Sequence, residues 1–91
     1  MKRYIIERDI PGVGELSRDG LKGAAATSNS ALAKLPNRVQ WVHSYVTDNK
    51  TFCVYFAEDE EAIKEHASLS GFPANKITEV KGLIDPVTAS G

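Results

Sequence analysis

Apolar and polar positions alternate over four short stretches of the chain and recur at helical spacing in two longer ones. Residues 2–10 (KRYIIERDI) are rich in β-branched and aromatic side chains and stop at Pro11-Gly12, which predicts a first strand. Gly12-Val13-Gly14 then reads as a flexible connection. A lone GxG lacks the third glycine of a dinucleotide-binding loop, so it predicts a turn into a helix and not a phosphate cradle. Ser17 is placed as an N-cap, with Asp19 in the first turn. From there to about residue 35, Leu21, Ala24, Ala25, Ser28, Leu32 and Leu35 form one stripe, whose small middle suits close packing on a sheet. Gly20 and Gly23 weaken this helix by about 1 kcal/mol each relative to alanine, and Pro36-Asn37 ends it.

Residues 39–47 (VQWVHSYVT) and 51–57 (TFCVYFA) predict two strands joined as a hairpin through Asp48-Asn49-Lys50. Glu58-Asp59-Glu60-Glu61 places acid at the start of a second helix, where the helix dipole favours it. That helix runs to about Ser70 and stops at Gly71, with Phe72-Pro73 closing the turn. Residues 76–84 (KITEVKGLI) predict the fourth strand, ended by Asp85-Pro86, and about residues 87–91 are expected to fray.

The order β-α-β-β-α-β predicts an α+β ferredoxin-like sandwich, with two helices on one face of a four-stranded antiparallel sheet. The other face stays open unless something covers it. Strand alternation divides the residues into two sets. Tyr4, Ile6, Arg8, Val42, Ser44, Val46, Phe52, Val54, Phe56, Thr78, Val80 and Ile84 make a mainly aliphatic set suited to the helix-covered core. Ile5, Glu7, Trp41, His43, Tyr45, Cys53, Tyr55 and Glu79 are assigned to the open face. This depends on hairpin register: a two-residue turn sets Tyr45 opposite Phe52 and mixes the sets, whereas an odd loop sets Tyr45 opposite Cys53. The odd loop is preferred because it segregates the aliphatic residues. Three large aromatics on an open face mark an interface or a binding site, and the simplest cover is a second copy, giving a homodimer.

Length and charge narrow the function classes. Ninety-one residues make one domain, 1–91. A chain this short buries a modest share of its surface, so a partner copy would help it. Eleven basic and twelve acidic residues leave a net charge of −1 with no basic stripe, which argues against nucleic acid. The longest uncharged stretch, 23–33, is too polar to span a bilayer, and no apolar signal region opens the chain, so no membrane partner is expected and a cytoplasmic location is. A single cysteine, Cys53, excludes an intramolecular disulfide and agrees with a reducing compartment.

His43, His66, Glu7 and Cys53 are the candidate metal ligands. Imidazole and thiolate suit nickel, zinc or copper, but there is no CxxC and no HxxxH, so any site must be assembled across strands or across a dimer. His66 falls in the second helix between Ala62 and Leu69, on the side expected to face the sheet. As structural residues, both histidines would simply be satisfied by local partners. The enzymatic reading makes His43 or His66 a general base oriented by Glu7, with Tyr45 or Tyr55 donating to an oxyanion. In a related reading, Glu7, Trp41, Tyr45 and Tyr55 wall a pocket on the open face for an apolar metabolite, as in a small dimeric α/β-barrel isomerase, oxygenase or ligand carrier. Cys53 sits mid-strand with nothing to activate it and fits a small buried hydrophobe better than a nucleophile. The acids at 58–61 fit a solvated helix start better than a metal cluster.

Glu7-Arg8-Asp9-Ile10-Pro11-Gly12, Gln40-Trp41 with Ser44-Tyr45-Val46-Thr47, and Cys53-Val54-Tyr55 stand in order along the chain. Glu65-His66-Ala67, Gly71-Phe72-Pro73-Ala74 and Ile84-Asp85-Pro86 follow them. In these stretches the sequence resembles a family of short bacterial proteins, catalogued as a domain of unknown function, that includes nickel-binding and nickel-responsive members. The resemblance covers nearly the whole chain and implies a dimeric ferredoxin-like fold. It sets Glu7, Tyr45, Cys53 and His66 on motif positions, with His43 beside them, while Glu58 stands where many relatives have proline. The expectation it supports is a cytoplasmic homodimer that sequesters or senses nickel, or another divalent metal, through His43, His66 and Glu7 or Cys53.

Overall fold

In a computed structural model, described over residues 1–90, the chain forms β1 (Lys2–Asp9), a 3-10 turn (Val13–Glu15), α1 (Arg18–Leu32), β2 (Val39–Val46), β3 (Lys50–Ala57), α2 (Glu60–Ser70), β4 (Lys76–Val80) and a closing 3-10 turn (Pro86–Ser90). The four strands make one antiparallel sheet in the order β2-β3-β1-β4, and the two helices cover one face. This is the ferredoxin-like α+β arrangement that the element order predicts.

Local signals account for the helix ends. Ser17 Oγ accepts from the Gly20 amide at 3.1 Å and Asp59 Oδ1 from the Ala62 amide at 2.9 Å, so each helix begins on a capping side chain. Gly71 takes the left-handed conformation at φ 79° and closes α2. α1 stops at Leu32, and Leu35 follows in a turn, buried against the core. The fourth strand is shorter than its apolar run suggests. Pairing with β1 ends at Val80, while Leu83 and Ile84 are 68% and 84% exposed. The end of the chain, expected to fray, forms the exposed 3-10 turn at Pro86–Ser90, begun by Asp85 Oδ1 accepting from the Val87 amide at 3.0 Å; Gly91 lies outside the described residues.

The glycine connection is fixed and not loose. Ile10 and Gly14 donate to the carbonyls of Asn49 and Asp48, each at 3.0 Å, and Gly12 donates to Asn49 Oδ1. A Cβ on Gly14 would lie 2.7 Å from the Asp48 Cα and the Thr47 carbonyl oxygen. Glycine is therefore required there by close backbone approach, and the GxG is a clamp onto the hairpin turn.

Hairpin register overturns the preferred division of faces. Thr47 pairs with Lys50 across a two-residue turn, Tyr45 stands opposite Phe52, and the odd loop is not used. Tyr4, Ile6 and Arg8 of β1 lie beside Tyr55, Cys53 and Thr51 of β3, and all six are buried under the helices. Phe52, Val54 and Phe56 consequently belong to the open face, not to the core. A bulge between Trp41 and His43 then puts Val42 out of register. It leaves Trp41 beside Tyr55 on the helix side and His43 and Tyr45 on the open side. Trp41, Cys53, Tyr55 and Glu79, all assigned to the open face from alternation, therefore lie on the helix side. The main core joins Tyr4, Ile6, Leu35, Val39, Cys53, Tyr55, Ala57, Ala62 and Ile63.

Candidate functional site

The two faces of the sheet carry different chemistry. On the helix side, β1 contributes Arg8, which is 3% exposed. Its Nη1 donates to the Pro73 carbonyl at 2.8 Å, which fastens the end of β1 to the turn after α2. Its Nη2 is buried and has no hydrogen-bond partner. The guanidinium stands 5.9 Å from the centre of the Tyr55 ring. Tyr55 OH lies 3.4 Å from Ser28 Oγ, and the same hydroxyl lies 3.2 Å from His66 Nε2. A polar chain Tyr55–Ser28–His66 thus links β3, α1 and α2 through the core.

His66 is 1% exposed, and its ring packs 5.2 Å from that of Tyr55. Burial lowers its pKa below the usual imidazole value, and the Arg8 charge pushes the same way. Burial also raises the Tyr55 phenol above its usual value, with Ser28 and Arg8 opposing. Both groups are therefore neutral at pH 7. His66 Nδ1 is buried without a partner, so the ring is anchored from one side only.

Arg8, Tyr55, Ser28, Cys53 and Trp41 border a pocket of about 210 Å³ between α1 and the sheet. Ala24 and Ala25 of α1 form part of its wall. The small-residue stripe, read from the sequence as a device for close packing, instead leaves room here.

The open face carries Ile5 (36% exposed), half-buried Phe52, Val54 and Phe56, and exposed His43 and Tyr45. The rings of His43 and Tyr45 meet edge to face with centroids 5.1 Å apart. Glu7 lies between two lysines, 3.8 Å from Lys50 Nζ and 3.9 Å from Lys76 Nζ, and Asp9 shares Lys50 at 3.5 Å. These carboxylates already have cationic neighbours.

The four expected metal ligands are not gathered in one chain. His43 and Glu7 are on the open face, whereas His66 and Cys53 are buried on the other side of the sheet. Even on the shared face, β3 separates His43 on β2 from Glu7 on β1, a lateral span of roughly 10 Å at ordinary strand spacing. Among the described residues, no three His, Cys, Asp or Glu side chains converge as a metal site. The expected pocket residues divide likewise: Trp41 and Tyr55 border the helix-side pocket, while Tyr45 and Glu7 point the other way. The sequence pattern set Arg8 on the core side of β1 and Ser28 on the packed face of α1, as found, but gave neither a role in a site. The available signal was a lone arginine in alternation with Tyr4 and Ile6, which places a charge on the core side of β1.

Among the described residues, no helix is long and apolar enough to cross a membrane. A search of curated proteins finds no match. The chain is similar in fold to the crystal structure of SCO4226 from Streptomyces coelicolor A3(2), with a TM-score of 0.75 at 15% identity over 90% of this chain and 99% of that one. The family model described as nickel responsive protein SCO4226-like matches residues 4–80. That span takes in all four strands and both helices but for the first two residues of β1, and the chain belongs to the nickel responsive protein SCO4226-like family.

Proposed function

We propose that two copies of this chain pair through their open sheet faces and that the homodimer sequesters or senses nickel in the cytoplasm. The observation that carries this reading is the uncovered face itself: Ile5, Phe52, Val54, Phe56 and Tyr45 form an apolar surface around a solvent-exposed imidazole, His43. Contiguous apolar surface of this kind is characteristic of an interface, and imidazole suits nickel. One chain alone does not satisfy a metal, because its donors fail to converge. A second copy across the face doubles the donors on that face, exposed His43 and lysine-paired Glu7, and leaves His66 and Cys53 outside the site. The family description supplies the preference for nickel over zinc or copper. The lone cysteine, free and buried, agrees with a reducing compartment.

Light scattering and nickel calorimetry on the intact chain test the proposal together. The expected result is a dimer with saturable nickel binding that His43→Ala abolishes and His66→Gln preserves. Val54→Lys, which sets a charge in the middle of the face, should give monomers and lose nickel with them. Full nickel affinity in His43→Ala would falsify the ligand assignment, and nickel binding by a monomeric Val54→Lys variant would remove the dimer from the mechanism.

A further inference from the structure

We infer that the pocket between α1 and the sheet is a binding site for a small apolar monocarboxylate whose anionic head pairs with Nη2 of Arg8. This site is independent of the nickel reading, since it lies on the opposite side of the sheet and shares no residue with the open face.

The argument begins with charge. Arg8 stays protonated at any physiological pH, is 3% exposed, and has no carboxylate within ion-pair distance among the described residues. The acids that flank it in β1, Glu7 and Asp9, alternate to the far face, where Lys50 and Lys76 engage them. Nη1 meets only neutral carbonyls, Pro73 at 2.8 Å and Phe72 at 3.5 Å, which do not neutralise a buried cation, and Nη2 has no hydrogen-bond partner. A buried, uncompensated charge is costly, and pairing with hydrogen-bonded opposite charge is what offsets it. The guanidinium fork also matches carboxylate geometry.

The shape of the pocket selects the rest of the ligand. Leu21, Ala24, Ala25, Val46 and Phe72 line it with hydrocarbon, and the buried polar groups Arg8, Tyr55 and Ser28 cluster, the Tyr55 ring 5.9 Å from the guanidinium and its hydroxyl 3.4 Å from Ser28 Oγ. Leu21 and Val46 are 37% and 45% exposed, which puts the mouth between α1 and the end of β2. An apolar body would occupy the mouth and walls while the head reaches Arg8, where one hydroxyl of the Tyr55–Ser28–His66 chain can donate to it when His66 Nε2 carries the proton. One cation matches one negative charge, so a monoanion is favoured over a phosphate dianion. The volume of about 210 Å³ holds roughly seven waters at liquid density, the scale of a short aliphatic or a one-ring aromatic acid. The composition, mostly apolar with a few convergent polar groups, is that of a metabolite site, and the volume is at the small end for one.

Calorimetric titration of the intact protein with hexanoate, benzoate, hexanamide and inorganic phosphate tests the assignment. Saturable one-to-one binding of hexanoate or benzoate is expected, with hexanamide and phosphate at least tenfold weaker. Arg8→Met should weaken the acids by tenfold or more. Because that change also frees the turn at Pro73, Ala25→Leu provides a second test, filling the pocket from the helix side with Arg8 intact; it should abolish acid binding while the circular dichroism spectrum stays native. The inference is overturned if neither acid binds, if hexanamide or phosphate binds as tightly as the acids, or if a folded Ala25→Leu variant retains full affinity.

Discussion

The buried histidine makes stability depend on pH in a way that can be calculated and separated from every other titration. His66 is 1% exposed, and burial together with the Arg8 charge lowers its pKa in the folded state. In the unfolded chain the ring titrates near 6.5. Between the folded and unfolded values the unfolded state binds the extra proton, so stability is fully present above about pH 6.5 and is lost as pH falls toward the folded pKa. The slope cannot exceed about 1.4 kcal/mol per pH unit. For a ring that stays neutral when folded, the loss from pH 7.0 to pH 5.5 is at most about 1.3 kcal/mol, or a fall in Tm of roughly 5–10 °C for a domain of this size. Urea denaturation at half-unit steps from pH 5.5 to pH 7.5 measures it, with His66→Gln as the reference. Glutamine can still reach Ser28 Oγ but has no proton to take up, and the difference between the two profiles cancels the carboxylates common to both. Parallel profiles would refute the account and mean that the ring protonates as readily inside the fold as outside.

Two further perturbations probe the frame that holds both faces. Gly14→Ala sets a methyl group 2.7 Å from the backbone of the hairpin turn and should destabilise the protein by about 2–3 kcal/mol, read as a lower urea midpoint with unchanged slope; a loss under 0.5 kcal/mol would show that the clamp yields freely. Asp59→Ala removes the acceptor for the Ala62 amide and should cost about 1 kcal/mol, with Asp59→Asn recovering most of it; equal losses in both variants would assign the effect to charge and not to the cap.

The elements, their order and most of their ends were legible because they depend on short-range chemistry. Ser17, Asp59 and Gly71 stop or start helices through their own side chains or backbone freedom, and the strands were recognisable from their β-branched and aromatic residues. The end of β4 was not, because Leu83 and Ile84 continue an apolar pattern although no neighbouring strand reaches them. Legibility also failed in β3, where both alternating sets are apolar: Phe52, Val54 and Phe56 on one side, Cys53 and Tyr55 on the other. Hydrophobicity cannot choose between two such sets, and a register change of one residue exchanges them.

What the sequence determined by itself, then, was the β-α-β-β-α-β path and the presence of one face without a helix. The tertiary structure decided which residues occupy each face. The two-residue turn at Asp48-Asn49 fixes β3 against β2, the bulge at Val42 returns Trp41 to the helix side while His43 remains outside, and the pairing of β1 with β3 sets Arg8 opposite Thr51 with its guanidinium by the Tyr55 ring. Those choices separate the two histidines by the thickness of a sheet and bring a guanidinium, a phenol and a serine hydroxyl to one pocket. Side-chain chemistry is written residue by residue, but convergence requires strands distant in sequence to pair in one register, and that register depends on a turn and a bulge whose effect no local pattern reveals.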